Sequence, residues 1–350
     1  MIFLDITKAF DRVWHRGLLF KLECFGVKGN LLNWFRSYLK NRSQKVVIGG
    51  MSSQLKRLLA GVPQGSILGP LLFLIYINDI ENDIVSDINL FADDTALFQE
   101  YSVVRNVENV LNNDLNKIAC WGKQWMVEFN PNKTVLINFS LKKIKSSPRI
   151  FFSGTPIAQV KFQKHLGVIL SDDMKWSKHI EFVCSRAFKK IGLLFKNSVY
   201  LDLHQMCLYY KVAIRPVVEY GCILFDNCTS QDVLLLESVQ RRAALVCTGA
   251  LKRTETTKLL NDLKWESLKT RRAKIKLMNF FKISNEIAPD YLKLLLPVNI
   301  ARQERYKLRS TVNIMSRKTR LKCYEMSFFP STFKFFPAAA IRGFKFQNKL

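Results

Sequence analysis

Two adjacent aspartates, Asp93 and Asp94, interrupt the apolar run "LFADDTALF" (90–98), and a third, Asp5, sits inside "FLDITKAFDRVWH" (3–15). Taken alone, an Asp-Asp pair between apolar runs is a solvated turn, because Asp tolerates turn geometry. "INLFA" and "TALFQ" then read as two hairpin strands with the acids at the tip. Carboxylates held at such a tip are also hard oxygen ligands of the kind Mg²⁺ takes. Asp5 alone reads as an edge or end residue of a short apolar strand. Together the two sites admit more. On adjacent central strands, three carboxylates would repel one another in a low dielectric unless a cation lay among them. A pair of divalent ions about 4 Å apart removes that repulsion, and it is the apparatus of in-line phosphoryl and nucleotidyl transfer.

Between the two acidic sites lies "GVPQGSILGPLLF" (61–73). Gly61, Pro63, Gly65, Gly69 and Pro70 specify an unusual loop leading into a helix. Glycine there permits close backbone approach to a ligand, and Gln64 offers a polar contact. A plain structural helix entry accounts for the same residues equally well.

The chain has 350 residues and a net charge of +26. That length suits about two or three domains. That charge points to a polyanionic partner, nucleic acid ahead of a membrane surface. The charge is uneven: residues 1–100 carry net +1 and residues 101–350 net +25. The acids that could serve a metal thus lie in a nearly neutral part, and the basic surface belongs to the 250 residues after it. None of the eight cysteines forms a C-x-x-C pair and only four histidines exist, which argues against a zinc site. Scattered cysteines without a signal-peptide pattern suit a reducing compartment. The apolar run "LLFLIYI" (71–77) is too short to span a bilayer.

Positioning these residues requires a sheet. "MIFLDI" reads as a buried strand, 15–27 and 29–41 as helices, and 43–60 as two strands around Gly49-Gly50. Residues 66–83 read as an apolar helix, followed by the 90–98 hairpin. Helix 103–121 has Val103, Val107, Val110, Leu111, Leu115 and Ile118 on one face. Residues 133–140 read as a strand, 142–149 as a basic loop, and 164–176 as a strand and turn. From Ser177 the pattern is helical: Ile180, Val183, Ala187, Ile191 and Leu194 share a face, and further helices fit 201–213, 230–247 and 265–287. The fold class is α+β, a sheet domain followed by a helical one.

These residues resemble the reverse transcriptases of non-LTR (LINE-type, jockey-like) retrotransposons. "FLDITKAFDRVWH" resembles the first palm motif, "GVPQGSILGPLLFLIYINDI" the second, "FADD" the third and "NPNKTVLINFS" (130–140) the fourth. "HLGVILSDDMKWSKHI" (165–180) resembles the primer-grip region, and "AIRPVVEYGCILF" (213–225) with "LLLESVQRRAALVCTG" (234–249) the thumb and the region after it. The likeness runs from residue 1 to roughly 290.

The resemblance implies a palm, an antiparallel sheet with helices on one face, over 1–145. The primer grip and start of the thumb would cover 146–200, a helical thumb and C-terminal region 201–296, and a basic tail 297–350. It implies that Asp5 and Asp93 hold two Mg²⁺ ions with Asp94 alongside, Mn²⁺ being a substitute. Phe10 would be a steric gate against the ribose 2′-OH. Gln64 and Gly65 would lie beside the incoming dNTP, and Phe91 and Ala92 near the primer end. Lys133 would sit near the pyrophosphate as a general acid, although it also reads as an ordinary strand-edge lysine. Lys178, Arg186, Lys189, Lys190, Arg241, Arg242, Lys269, Arg271, Arg272, Lys274 and Lys276 would track the backbone of an RNA template and DNA primer; individually, each also reads as part of a solvated helix face. The template expected is the element's own RNA, and the place of action the nucleus; no membrane partner is expected, and the sequence leaves the oligomeric state open. Family members carry a fingers region ahead of the first palm motif, and the sequence starts inside that motif. The alternative is therefore a truncated, catalytically inactive nucleic-acid-binding remnant.

Overall fold

The first strand, β1 (Ile2–Leu4), is apolar throughout because both its faces are covered. Ile2 and Leu4 point into the larger core, and Phe3 points the other way. The computed structural model describes residues 1–142, 147–296, 322–325 and 327–332, so most of the 297–350 tail and part of the 142–149 loop lie outside the described residues. The chain is mixed α and β and divides into two compact units, Met1–Asp173 and Met174–Leu350. The division falls inside the segment 146–200.

After β1 come α1 (His15–Cys24) and α2 (Gly29–Leu39), then a doubly interrupted hairpin. In it β2 (Ser43–Gln44) pairs with β5 (Lys56–Arg57), and β3 (Val47–Ile48) with β4 (Met51–Ser52) around Gly49-Gly50. Both glycines have positive φ, which suits a two-residue hairpin turn. Helix α3 (Leu68–Ile77) tolerates Pro70 because it lies in the first turn, where no intrahelical N–H bond is lost. The pair β6 (Asp87–Phe91) and β7 (Asp94–Phe98) follows, then α4 (Val104–Gln124), β8 (Val135–Leu136), β9 (Phe151–Phe152), β10 (Thr155–Pro156), β11 (Ala158–Gln159), β12 (Phe162–His165) and β13 (Val168–Ser171).

The main sheet has the order β11-β8-β1-β7-β6. Its pairings are antiparallel except β8–β11, which is parallel. One face packs with α1, α3 and α4 through Leu18, Leu22, Leu72, Phe73, Leu111 and Leu115. The other face carries the small cluster of Phe3, Ala96 and Ile137, against which Leu170 of β13 packs. Two buried charges brace this unit. Asp114 of α4 is fully buried and accepts from the Ser86 N–H at 2.8 Å and its hydroxyl at 2.7 Å, fixing the entry to β6. Lys21 donates to Tyr76 O and Asp79 Oδ1, both at 2.5 Å, with the Trp125 ring 3.8 Å away. Burial lowers the Lys21 pKa, and Asp79 opposes that shift. The segment 164–176 holds the expected strand, β13, and its exit turn; what the expectation lacked is that β13 is the second strand of a hairpin whose first strand, β12, ends at His165. Val103 stands at the N-cap of α4, exposed, instead of joining its buried face.

The second unit is helical: α5 (Ser177–Asn197), α6 (Leu203–Tyr209), α7 (Arg215–Glu219), α8 (Cys222–Phe225), α9 (Ser230–Thr248), α10 (Thr256–Asp262), α11 (Leu268–Ser284), α12 (Asp290–Lys293) and α13 (Lys322–Glu325). A π turn over Tyr210–Ile214 joins α6 to α7, so the helix expected over 201–213 runs on to Glu219. Ile180, Val183, Ala187, Ile191 and Leu194 are all buried, as their spacing predicts. Thr229 and Asp232 form a capping box at the start of α9, and Asp232 also accepts from the Ser177 hydroxyl at the start of α5.

Candidate active site

Register brings two of the three aspartates together. Leu4 pairs with Thr95 in the antiparallel β1–β7 ladder, so the next residue, Asp5, lies opposite Asp94. Directly opposed residues point to the same face. Phe91 pairs with Asp94, which leaves Ala92 and Asp93 as a two-residue turn. Ala92 takes φ +52°. A left-handed residue with a Cβ costs about 1–2 kcal/mol, and such strain concentrates at functional sites. Asp93 and Asp94 face solvent and Asp5 is half-buried. The acids therefore sit at the exposed end of otherwise covered strands.

The segment 128–130 returns alongside 5–7. Asn130 N–H donates to Asp5 O at 2.8 Å, and Thr7 N–H to Glu128 O at 2.8 Å. The Asn130 carbonyl then accepts from the N–H groups of Lys133 and Thr134. This turn sets Lys133 Nζ 3.6 Å from Asp5 Oδ2. Both side chains are accessible, so the pair adds little stability; what it fixes is position.

The glycine-rich loop is locked onto the turn after Asp5. Gly61 N–H donates to Val13 O at 2.8 Å and Val62 N–H to Phe10 O at 2.9 Å. His15 Nε2 lies 2.7 Å from Gly61 O; a carbonyl only accepts, so that nitrogen carries the proton. Gly61 has φ +94°, and a Cβ there would lie 2.8 Å from Asp11 O. Gln64 donates to Asp11 Oδ1 at 3.0 Å. Gly65 has φ +82° with nothing within 4 Å of where its Cβ would stand. Phe10 stacks on Phe73, ring centroids 4.6 Å apart. Two groups result, both in the first unit: Asp5, Asp94 and Lys133 at the end of β1, and Phe10 and Gln64 where the 61–64 loop meets residues 10–13. Asp11, which accepts from Gln64, and Ser66, which donates to Pro63 O at 2.8 Å and accepts from Gly69 N–H at 3.0 Å, were missed as partners. Both stand inside the quoted motifs, but neither type signals a structural brace without the fold.

The basic residues divide. Lys178, Arg186, Lys189 and Lys269 are exposed. Others turn inward, against the solvated-face expectation. Arg272 is 3% exposed and pairs with Glu237 at 3.5 Å. Lys276 is 4% exposed and bonds Asp226 at 2.8 Å. Arg271 forks onto Glu219, which raises its pKa. Arg241 and Lys274 stay partly accessible yet are also engaged, Arg241 donating to the carbonyls of Lys252 and Thr254 and Lys274 pairing with Glu266. Lys190 is half-buried and Arg242 exposed.

Among the described residues, no three His, Cys, Asp or Glu side chains are gathered tightly enough to hold a metal ion. The donor chemistry nevertheless suits a divalent cation. Asp5 and Asp94 are like charges opposed across one ladder, with Asp93 adjacent and all three accessible, and hard oxygen donors are what Mg²⁺ prefers. Among the described residues no helix is long and apolar enough to cross a membrane.

Residues 1–182 match the family described as "Reverse transcriptase (RNA-dependent DNA polymerase)". The chain is 29% identical over 271 residues to the probable RNA-directed DNA polymerase from transposon X-element of Drosophila melanogaster. It is 29% identical over 276 residues to the RNA-directed DNA polymerase from mobile element jockey of the same species. Each alignment takes in 75% of this chain and 30% of the relative, so the chain spans about 30% of the length of these curated relatives. A solved telomerase from Candida albicans, in complex with a fragment of telomeric RNA, is similar at a TM-score of 0.34 and 15% identity, over 83% of this chain and 49% of that one. The chain belongs to the reverse transcriptase (RNA-dependent DNA polymerase) family, with relatives among the polymerases of the jockey and X-element retrotransposons.

Proposed function

We propose that this chain is the catalytic portion of an RNA-directed DNA polymerase of non-LTR retrotransposon type. Its reaction would be attack of a primer 3′-OH on the α-phosphate of a dNTP, with pyrophosphate leaving. The observation that carries this reading is the β1–β7 register, which opposes Asp5 and Asp94 beside the Ala92-Asp93 turn. Asp5, Asp93 and Asp94 would hold two Mg²⁺ ions, with Mn²⁺ a substitute. When bound, such ions neutralise the reacting phosphates and lower the pKa of the attacking hydroxyl.

The remaining roles rest on placement. Lys133, 3.6 Å from Asp5, is suited to give a proton to the departing pyrophosphate. Phe10 is held by its stack on Phe73, so its ring is a rigid wall of the kind a gate against ribonucleotides needs. The open space at Gly65 suits close approach of a substrate to the backbone, and Asp11 steadies Gln64 beside it. The first unit would be the palm and the helical unit the thumb. Lys178, Arg186, Lys189, Lys190 and Arg242 would contact the phosphates of an RNA template, the element's own transcript, and of a DNA primer. The nucleus would be the place of action.

The test is Mg²⁺-dependent dNTP incorporation on poly(rA)/oligo(dT), comparing the chain with Asp93→Ala. The expected result is incorporation that falls by about a thousandfold or more, several kcal/mol of transition-state stabilisation, with RNA binding retained. Equal incorporation by the variant would sink the reading.

A further inference from the structure

An aromatic stack stands on α2, outside the residues assigned above. Trp34 and Tyr38, one turn apart, lie nearly parallel with ring centroids 5.5 Å apart and an interplanar angle of 13°. The Arg42 guanidinium lies 4.6 Å from the Tyr38 ring centre, fixed by an Nε–H bond to Tyr38 O at 2.7 Å at the helix end. Trp34 is 50% exposed. The Tyr38 hydroxyl donates to Ser66 Oγ at 3.0 Å, so the stack abuts the glycine-rich loop.

The chain segment that bears it is one-sided in charge. Residues 24–78 hold seven lysines and arginines and no Asp or Glu, whereas the rest of residues 1–100 carries net −6. The nearly neutral first hundred residues are thus segregated, with their positive charge gathered on the segment that bears the stack. An exposed aromatic face combined with arginine on a cationic, acid-free segment is the chemistry of a platform for unpaired bases. A stack serving only the protein core would be covered, and a protein-docking face would not need a segment stripped of acids.

We propose that Trp34, backed by Tyr38 and Arg42, stacks an unpaired base of a single-stranded RNA template beside the 61–66 loop. The proposal rests on the polymerase reading for the nature of its strand. It adds a site which that reading does not assign. Base stacking is sequence-tolerant and is worth about 1–3 kcal/mol per base.

The experiment uses the full chain and a short oligo(A) RNA carrying one 2-aminopurine, whose fluorescence is quenched on stacking. Trp34→Ala is expected to lose most of the quench and to bind about 5- to 150-fold more weakly. It should keep its affinity for an RNA duplex and its dependence on salt. Trp34→Phe, which retains an aromatic face, should recover most of the quench, a rescue that a merely structural role would not produce. Quench and affinity in Trp34→Ala equal to the parent would overturn the proposal and leave the face to some other partner, such as a protein. The two readings fail separately. Asp93→Ala should leave this binding unchanged, and continued incorporation by Asp93→Ala would strike the catalytic assignment without touching the quench.

Discussion

Three glycines of one motif separate two physical reasons for glycine, and alanine at each tests the separation. Gly65 has φ +82° and open space, so alanine there meets only backbone strain, about 1–2 kcal/mol. Gly69 has an ordinary helical φ, but its Cβ would lie 2.5 Å from Pro63 O. Alanine gains about 1 kcal/mol of helix propensity and must displace a carbonyl that accepts from Ser66 Oγ, which in turn accepts from Gly69 N–H. Two such bonds contribute roughly 0.5–1.5 kcal/mol each, for a net loss of about 0–2 kcal/mol. Gly61 meets both problems: φ +94° and a Cβ 2.8 Å from Asp11 O and 2.9 Å from Asp11 Cα. Moving Asp11 breaks the bonds from Gly61 to Val13, Val62 to Phe10 and His15 to Gly61. Together these come to about 3–6 kcal/mol. In a unit of this size each kcal/mol shifts Tm by about 2–4 °C. Gly61→Ala should therefore lower the melting of the first unit by roughly 6–24 °C, against roughly 2–8 °C for Gly65→Ala. Thermal melts of the full chain read this, with hydrogen exchange at Gly61 and Val62 assigning the transition. A Gly61→Ala melt within about 2 °C of Gly65→Ala would refute the argument from close approach.

Two further outcomes bear on the helical unit. Arg272→Met should lower its urea midpoint by the equivalent of about 1.5–3 kcal/mol, because Glu237, itself about a quarter exposed, loses a charged hydrogen-bond partner, while the slope of log Kobs for RNA against log salt stays unchanged. Lys189→Gln should do the reverse, reducing that slope by about 0.7 for a single-stranded RNA with stability within about 0.5 kcal/mol; a slope change in Arg272→Met would mean that the inward-facing arginine does reach phosphate. His179 is fully buried in α5, and burial lowers its pKa from 6.5. The unfolded chain therefore binds the proton first: the contribution is complete above pH 6.5 and is lost as pH falls from there toward the depressed folded value, by up to about 1.4 kcal/mol per pH unit. Urea midpoints at pH 7, 6 and 5 should fall less steeply in His179→Phe, and parallel curves would exclude His179 as the cause.

Elements whose periodicity is intrinsic were legible from the sequence. The 3.6-residue spacing of Ile180 through Leu194 reports a face without reference to any partner, and all five residues are buried. The β6–β7 hairpin was likewise legible, since two apolar runs flank an acidic pair, although the turn is Ala92-Asp93 and Asp94 already begins β7. Charged residues on buried faces were not legible. In α11, Leu268, Arg272, Lys276, Phe280 and Ile283 all point inward, but two carry charges that a sequence reading assigns to solvent. Their partners, Glu237 and Asp226, come from elsewhere in the chain, and nothing local announces them. Asp114 and Lys21 escaped notice for the same reason. The second strand of the 162–171 hairpin was read correctly but its partner was not, because "KFQKH" alternates weakly and the turn at Leu166-Gly167 lies inside an apolar stretch.

The two readings of Asp93-Asp94 that the sequence left open describe one geometry. A solvated tip requires a short turn with accessible acids, and Ala92-Asp93 is such a turn. A ligand-holding tip requires the same accessibility and one thing more, a third carboxylate on the neighbouring strand. Period-two side-chain alternation makes that requirement strict, since a slip of one residue in the β1–β7 register would turn Asp5 to the opposite face from Asp94. Burial pins the register: Ile2 and Leu4 must meet the helix-covered core while Phe3 meets Ala96 and Ile137 on the other side. The apolar residues around Asp5 therefore do more than build a strand. By fixing which face each residue occupies, they determine that Asp5 and Asp94 share one.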